Sequence, residues 1–223
     1  MLLGIDTCGS TGTIALAERH SEQLVLLGEA ELAGKTYSSL LVPRIRELLE
    51  SHQVSLQQLE AIIVVNGPGS FTGVRVGLSA VKGLAEALSL PVIAVSRLAV
   101  LAWKAKLSYA ALDAGRGEFY FGAYTDGSRE SLNGPDEIRT VIPIAKLAVC
   151  EEKSAQAFPD ALMSEPPRAA DALHVAMPRF LAGEFDDLVS LDGNYLRRSD
   201  AELFARPKPE PIPGSLAERA QEA

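Results

Sequence analysis

Cysteine, histidine and tryptophan are scarce in this chain of 223 residues, which holds two, three and one of them. Cys8 and Cys150 lie far apart and form no C-x-x-C pair, so no disulfide framework is expected; reduced thiols, packed as small hydrophobes in a cytoplasmic protein, are. His20, His52 and His174 are isolated, without H-E-x-x-H or a paired cysteine, and neither a metal nor any other cofactor is expected. Positive charge is in deficit: 29 acidic side chains against 21 basic ones leave a net charge of -8. The chain as a whole therefore repels a phosphate backbone and is not expected to hold nucleic acid tightly alone. A membrane-length apolar run is also missing, since the most apolar stretch, 76–101, is interrupted by Lys82, Glu86 and Arg97. The start does not read as a secretory signal, because Asp6 follows Met1 to Ile5 with no basic n-region.

What is present is 47% hydrophobic, enough for one core or two small lobes sharing an interface. Leu2 to Asp6, a turn through Gly12, and Thr13 to Ala17 read as strand, turn and strand, with Gln23 to Glu29 as a third antiparallel strand. Leu40, Leu41, Ile45, Leu48 and Leu49 recur at helical spacing over 38–52, with Ser38 or Ser39 as the cap and Pro43 near the first turns. Ser55 and Gln58 fit a capping box, and Ala61 to Val65 reads as a strand buried on both faces. Helix over 72–89, strand over 91–95 and helix over 96–106 follow, the alternation of an α/β fold with a mixed sheet. Ala110 to Asp113 and Glu118 to Thr125, joined through Gly117, parallel the opening hairpin and suggest a weak internal repeat. The lobes divide as 1–106 and 107–205, with a helix over 168–182; 206–223 is a proline-rich tail expected to be mobile.

Several catalytic readings fail on spacing. A phosphate loop at Gly34-Lys35-Thr36 needs glycine where Glu29 stands. Ser70 does not lie in G-x-S-x-G and has no histidine near it in sequence. Glu151-Glu152 and Asp186-Asp187 sit in polar stretches and read as solvated faces.

Two segments retain chemical interest. Asp6-Thr7 ends a strand before a small-residue turn that can present backbone N–H groups to a phosphate. Gly67 to Gly73 combines conformational freedom with the start of a helix, where free N–H groups attract anions. On that helix Val74, Leu78, Val81, Ala85 and Leu88 form a sheet-facing stripe; Gly73, Val76, Ala80, Gly83 and Ala87 form a side of small residues that admits a second helix closely.

The segments Gly4-Ile5-Asp6-Thr7, Asn66-Gly67-Pro68-Gly69-Ser70-Phe71-Thr72-Gly73-Val74-Arg75-Val76-Gly77, 91–96, 112–120 and Tyr195-Leu196-Arg197 together resemble the TsaB family. The G-P-G-S-F-T-G-x-R block is the specific element, and the match covers about 1–125. The resemblance implies an actin-like ATPase (ribonuclease H-like) α/β fold of two lobes with mixed sheets flanked by helices, the second lobe shortened. It implies a scaffold without catalysis of its own, required for threonylcarbamoyladenosine in tRNA. Such a scaffold forms a heterodimer with the transferase TsaD, joined by the ATPase TsaE, and a homodimer when TsaD is absent; it meets tRNA only through the complex. TsaD carries metal-binding histidines spaced H-x-x-x-H after the strand corresponding to 91–95, where Arg97 and Leu101 stand here. Partner contacts mapped from the family are Tyr37, Leu41, Arg44, Ile45, Arg75, Leu78 and Lys82, with Leu78 also in the sheet-facing stripe and Tyr37 where the family commonly has histidine. A vestigial nucleotide or phosphate cleft would be formed by Asp6, Thr7, Gly67, Gly69, Ser70 and Asp113. The alternative from the enzyme class is an ATP-dependent phosphotransferase of the actin-like superfamily; a protease finds neither a nucleophile dyad nor metal ligands.

Overall fold

The computed structural model describes residues 1–33 and 36–197. Gly34 and Lys35, the end of the second lobe from 198, and the tail expected over 206–223 lie outside the described residues. The first half runs β1 (Leu2–Asp6), β2 (Thr11–His20), β3 (Gln23–Ala33), α1 (Tyr37–Ser51), β4 (Ala61–Val65), α2 (Phe71–Leu88), β5 (Val92–Val95) and α3 (Arg97–Ala105). The second half repeats the order: β6 (Tyr109–Gly115), β7 (Glu118–Ala123), β8 (Arg129–Asn133), α4 (Pro135–Val141), β9 (Leu147–Val149), α5 (Glu152–Ala157), β10 (Leu162–Met163) and α6 (Ala169–Ala182). Even the single-turn helices Leu56–Gln58 and Ile144–Lys146 fall at matching places, before β4 and β9.

The two five-stranded sheets have orders β3-β2-β1-β4-β5 and β10-β9-β6-β7-β8. In each, three strands pair antiparallel and two more add in parallel beside the first. The repeat hinted at by the two hairpins is therefore a duplication of the whole topology, the arrangement the family resemblance implied.

Packing explains the sequence pattern of β4. Its Ala-Ile-Ile-Val-Val run is apolar on both faces, and all five residues are buried, because α2 covers one face of the sheet and α6 the other. Burying side chains such as Ile62 and Ile63 contributes about 1.5–3 kcal/mol each. The last helix of each half packs on the opposite sheet: α3 lies on β6, β7 and β9, and α6 on β1, β2, β4 and β5. These two helices meet where Trp103 stacks on His174 at 5.3 Å and Lys104 Nζ reaches Asp171 at 2.8 Å. Packing thus crosses the 106/107 division of the chain.

Two departures from expectation have a clear cause in the packing. Helix α1 starts at Tyr37 with Thr36 as its cap, not Ser38 or Ser39, because the Thr36 carbonyl already accepts the Leu40 N–H at 2.9 Å. Strand β3 continues to Ala33, beyond the expected Glu29, since Thr11 to Ala15 of β2 need partners there and Arg168 pairs with both Glu29 and Glu31 at 2.9 Å.

After α6 the chain returns across the molecule. Asp186 donates its N–H to Val92 O at 2.9 Å and accepts the Ala94 N–H on its carboxylate at 2.7 Å. Asn194 then bonds Asn66 O at 2.7 Å, and Arg197 reaches Gly115 O at 3.2 Å and the Glu118 carboxylate. This segment ties the edge of the first sheet to the hairpin of the second.

Candidate functional site

Both halves line one cleft of about 780 Å³. The first contributes Cys8, Gly9, Ser10, Tyr37, Gly69, Ser70 and Arg97; the second contributes Leu112 to Gly115, Tyr120, Cys150 and Glu151. Asp6 lies beneath it, 2% exposed, where its Oδ1 accepts the Cys8 N–H at 2.8 Å. Burial raises the Asp6 carboxyl above the usual range, and Arg97 with the Cys8 N–H only partly offsets this.

Arg97 is the unusual member. The residue is 7% exposed; Nε stands 3.9 Å from Asp6 Oδ2 and Nη1 stands 3.9 Å from Glu151 Oε1. Both distances exceed hydrogen-bond reach, and Nε has no hydrogen-bond partner. Burial works against its charge, but the neighbouring Asp6 in particular outweighs that and holds its pKa above the ordinary value. The backbone fixes the residue through Arg97 N–H to Gly67 O at 2.7 Å, with Ser96 capping α3 on the Leu98 N–H. Gly9 leaves room for it: a Cβ there would come 2.7 Å from Nη2 of Arg97 and would displace the guanidinium.

Of the cleft residues expected from sequence, Gly69, Ser70 and Asp113 line the cavity. Thr7 and Gly67 turn away from it. Thr7 is buried and donates its hydroxyl to Gly73 O at 2.7 Å, while Gly67, at φ +108°, packs on the Asn194 backbone. Glu151 corrects the reading of Glu151-Glu152 as a solvated pair, because its Oε2 accepts the Asp113 N–H at 2.5 Å and Oε1 faces Arg97. Sequence reasoning noted Arg97 as a charge interrupting an apolar stretch and as standing where a family histidine does; its signal was an arginine directly after the serine cap of a helix apolar but for Lys104 near its other end.

The cysteines are both buried. Burial, and then Asp6, pushes the Cys8 thiol well above its ordinary value, and its Sγ donates to Val65 O at 3.2 Å. Burial pushes Cys150 up to about 12. Neither is a thiolate nucleophile near neutrality. Among the described residues no group of three or more His, Cys, Asp or Glu side chains is placed to share a metal ion.

A second surface lies on the outer face of α1 and α2, a groove of about 430 Å³ lined by Tyr37, Ser38, Leu41, Val42, Arg75, Val76, Ser79 and Ala80. Tyr37, Leu41, Ile45 and Leu78, mapped as partner contacts, are at most 7% exposed and belong to the chain's own core; Tyr37 also donates to Gly9 O at 2.9 Å. Arg44 is exposed and pairs with Glu47 at 2.7 Å. Lys82 lies toward Asp187, on the segment that follows α6. Arg75 lies over the Phe71 ring at 3.9 Å, and Phe71 in turn contacts Tyr195 at 5.1 Å between ring centroids. Val42 and Phe71 expose apolar surface beside it.

The side of small residues on α2 divides. A Cβ on Gly73 would sit 2.0 Å from Thr7 O, and one on Gly77, outside that side, 2.3 Å from Thr7 Oγ1, so these glycines admit the residue that follows β1 and not a second helix. Gly83 and Ala87 are exposed, with open space over Gly83.

Residues 30–165 match the family model described as TsaD, tRNA N6-adenosine threonylcarbamoyltransferase. The chain is 37% identical over 126 residues to the tRNA threonylcarbamoyladenosine biosynthesis protein TsaB of Haemophilus influenzae, covering 54% of this chain and 52% of that one. It thus spans about half the length of that curated relative. An uncharacterized protein of Mycobacterium tuberculosis is 31% identical over 206 residues, 92% of this chain and 95% of its own. Among solved structures, YeaZ from Pseudomonas aeruginosa superposes with a TM-score of 0.70 at 27% identity, covering 87% of this chain and 99% of that one.

Proposed function

Because this chain belongs to the TsaD threonylcarbamoyltransferase family and is TsaB-like within it, we propose that it serves threonylcarbamoyladenosine formation in tRNA as a non-catalytic subunit. It binds and supports TsaD, together with the ATPase TsaE, through the outer face of α1 and α2. The observation that carries this reading is that face: an open groove with exposed Val42 and Phe71, an arginine held over an aromatic ring, and open space above Gly83. Arginine and aromatic side chains held rigid in this way are what interface hot spots are made of. The subunit's effect is a population shift in TsaD toward its competent state. Its acidity is consistent with leaving the basic tRNA-binding surface to the partner.

The test is reconstitution of threonylcarbamoyl transfer to tRNA from TsaD, TsaE and the adenylate donor, with and without this chain. Transfer that requires the chain, while the chain alone transfers nothing, supports the reading. Transfer unchanged by its omission sinks it, and turnover of ATP by the isolated chain would then favour the phosphotransferase alternative.

A further inference from the structure

A separate cavity, of about 320 Å³, lies on the second sheet at the end away from the cleft, where β6 begins instead of where it ends. Tyr109 of β6, Phe121 and Ala123 of β7 and Arg129 of β8 point to one face there. Tyr109 and Arg129 are the cross-strand partners of Ala123, and Phe121 stands two residues before it. Helix α4 is too short to close this face: it buries Ile138 against the sheet and ends at Val141, 68% exposed, in the cavity wall. The floor is apolar, with the rings of Tyr109 and Phe121 stacked at 6.2 Å between centroids and 8° between planes. Charges of both signs stand around it. Asp126 and Arg129 line the cavity, and among the described residues neither side chain has a hydrogen bond or an ion pair. The third charged group, Glu137, is engaged, accepting the Gly134 N–H at 2.8 Å and an N–H of the Asn133 amide at 3.3 Å.

We propose that this cavity binds a free α-amino acid with an apolar side chain, its carboxylate on Arg129, its ammonium on Asp126 and its side chain on the rings of Tyr109 and Phe121. The site lies apart from the cleft and from the outer face of α1 and α2, and does not rest on the subunit role. Size favours a ligand of this class, since about 320 Å³ is at the small end of ligand pockets and suits one such molecule. Charge favours it as well. A simple anion would meet Asp126 and Glu137, and a simple cation would meet Arg129, whereas a zwitterion satisfies a partner of each sign. The guanidinium fork suits a carboxylate, and aromatic faces next to the ammonium add a favourable contact. Because Asp126 and Arg129 are exposed in the unliganded chain, each ion pair is expected to be worth only about threefold in affinity. The apolar contact over the two rings and beside Val141 supplies the remainder.

The experiment titrates the full chain with L-phenylalanine near neutral pH and at constant ionic strength, following the methyl signals of Ala123, Ile138 and Val141 by NMR. A saturable shift of these signals is expected, with a midpoint of about 1 mM or tighter. Phenethylamine, which lacks the carboxylate, and hydrocinnamate, which lacks the ammonium, should each bind about threefold more weakly or worse. Arg129→Gln should erase the advantage of phenylalanine over phenethylamine, and Asp126→Asn its advantage over hydrocinnamate. Both side chains are exposed, so the melting temperatures of these variants should stay near that of the wild type, and a lost response then reads the site and not the fold. The absence of a saturable shift with phenylalanine, or binding of either singly charged compound as tight as that of phenylalanine, overturns the proposal.

Discussion

Asp6 ends the first strand of one sheet and Asp113 lies two residues before the end of the first strand of the other, and each accepts on Oδ1 the N–H of the residue two positions on, at 2.8 Å in both. The same turn is thus built twice, in two environments. Asp6 is 2% exposed and faces the buried guanidinium of Arg97; Asp113 is half-buried and pairs with the exposed Lys153.

The two aspartates should therefore respond unequally to removal. Asp6→Ala leaves Arg97 with only Glu151 for compensation and is expected to cost about 3 kcal/mol. Asp113→Ala loses a turn bond and an exposed ion pair, about 1 kcal/mol. Urea unfolding of both variants checks this, and equal losses would contradict the asymmetry.

Glycines on α2 should separate by what lies above them. Gly73→Ala drives a methyl to within 2.0 Å of the Thr7 carbonyl and is expected to cost about 3 kcal/mol. Gly83→Ala meets open space and should stabilise the isolated chain by about 0.5–1 kcal/mol through helix propensity. If the α2 face is the partner surface, the same Gly83→Ala should weaken TsaD binding in a pull-down titration despite the gain in stability.

Arg75→Glu should leave the melting temperature of the isolated chain nearly unchanged, since the residue is exposed, and should weaken TsaD binding about tenfold or more. Thermal unfolding of the isolated chain reads the first and calorimetric titration with TsaD the second. Unchanged affinity would place the partner surface elsewhere.

The thiols give a pH dependence with a definite sign. Native Cys150 titrates at about 12 against an ordinary 9.0, and Cys8 is raised as well. Between those values the unfolded chain loses a proton that the folded chain keeps. Stability from this source is complete below pH 9 and is lost as pH rises toward 12, by at most about 1.4 kcal/mol per pH unit per thiol. Denaturant midpoints across the alkaline range measure it. A thiol-labelling reagent near neutrality should modify neither cysteine until the chain is unfolded.

The segment after α6 depends on Asp186, which accepts the Ala94 N–H at 2.7 Å and pairs with Arg179 at 3.1 Å. Asp186→Ala should cost about 1–3 kcal/mol and speed hydrogen exchange at the Ala94 amide more than at the central β4 amides. Uniform acceleration would mean that the whole fold, and not this edge, had been loosened.

The sequence by itself determined the local elements. Five consecutive apolar residues at 61–65 made a strand buried on both faces, the 3.6-residue stripe through Val74, Leu78, Val81 and Ala85 made α2, and the glycines of 67–73 marked the turn into it. These are short-range properties, set by side-chain periodicity and backbone freedom within a few residues. Tertiary structure alone decided what each element faces. Leu41, Ile45 and Leu78 have the composition of interface residues but lie in the chain's own core, while Gly73 and Gly77 serve Thr7, some seventy positions back. The cleft depends on partners still more remote in sequence, with Arg97 set between Asp6 of one half and Glu151 of the other. Charge compensation acts through space, and no local pattern of residues records which carboxylate a distant arginine will meet.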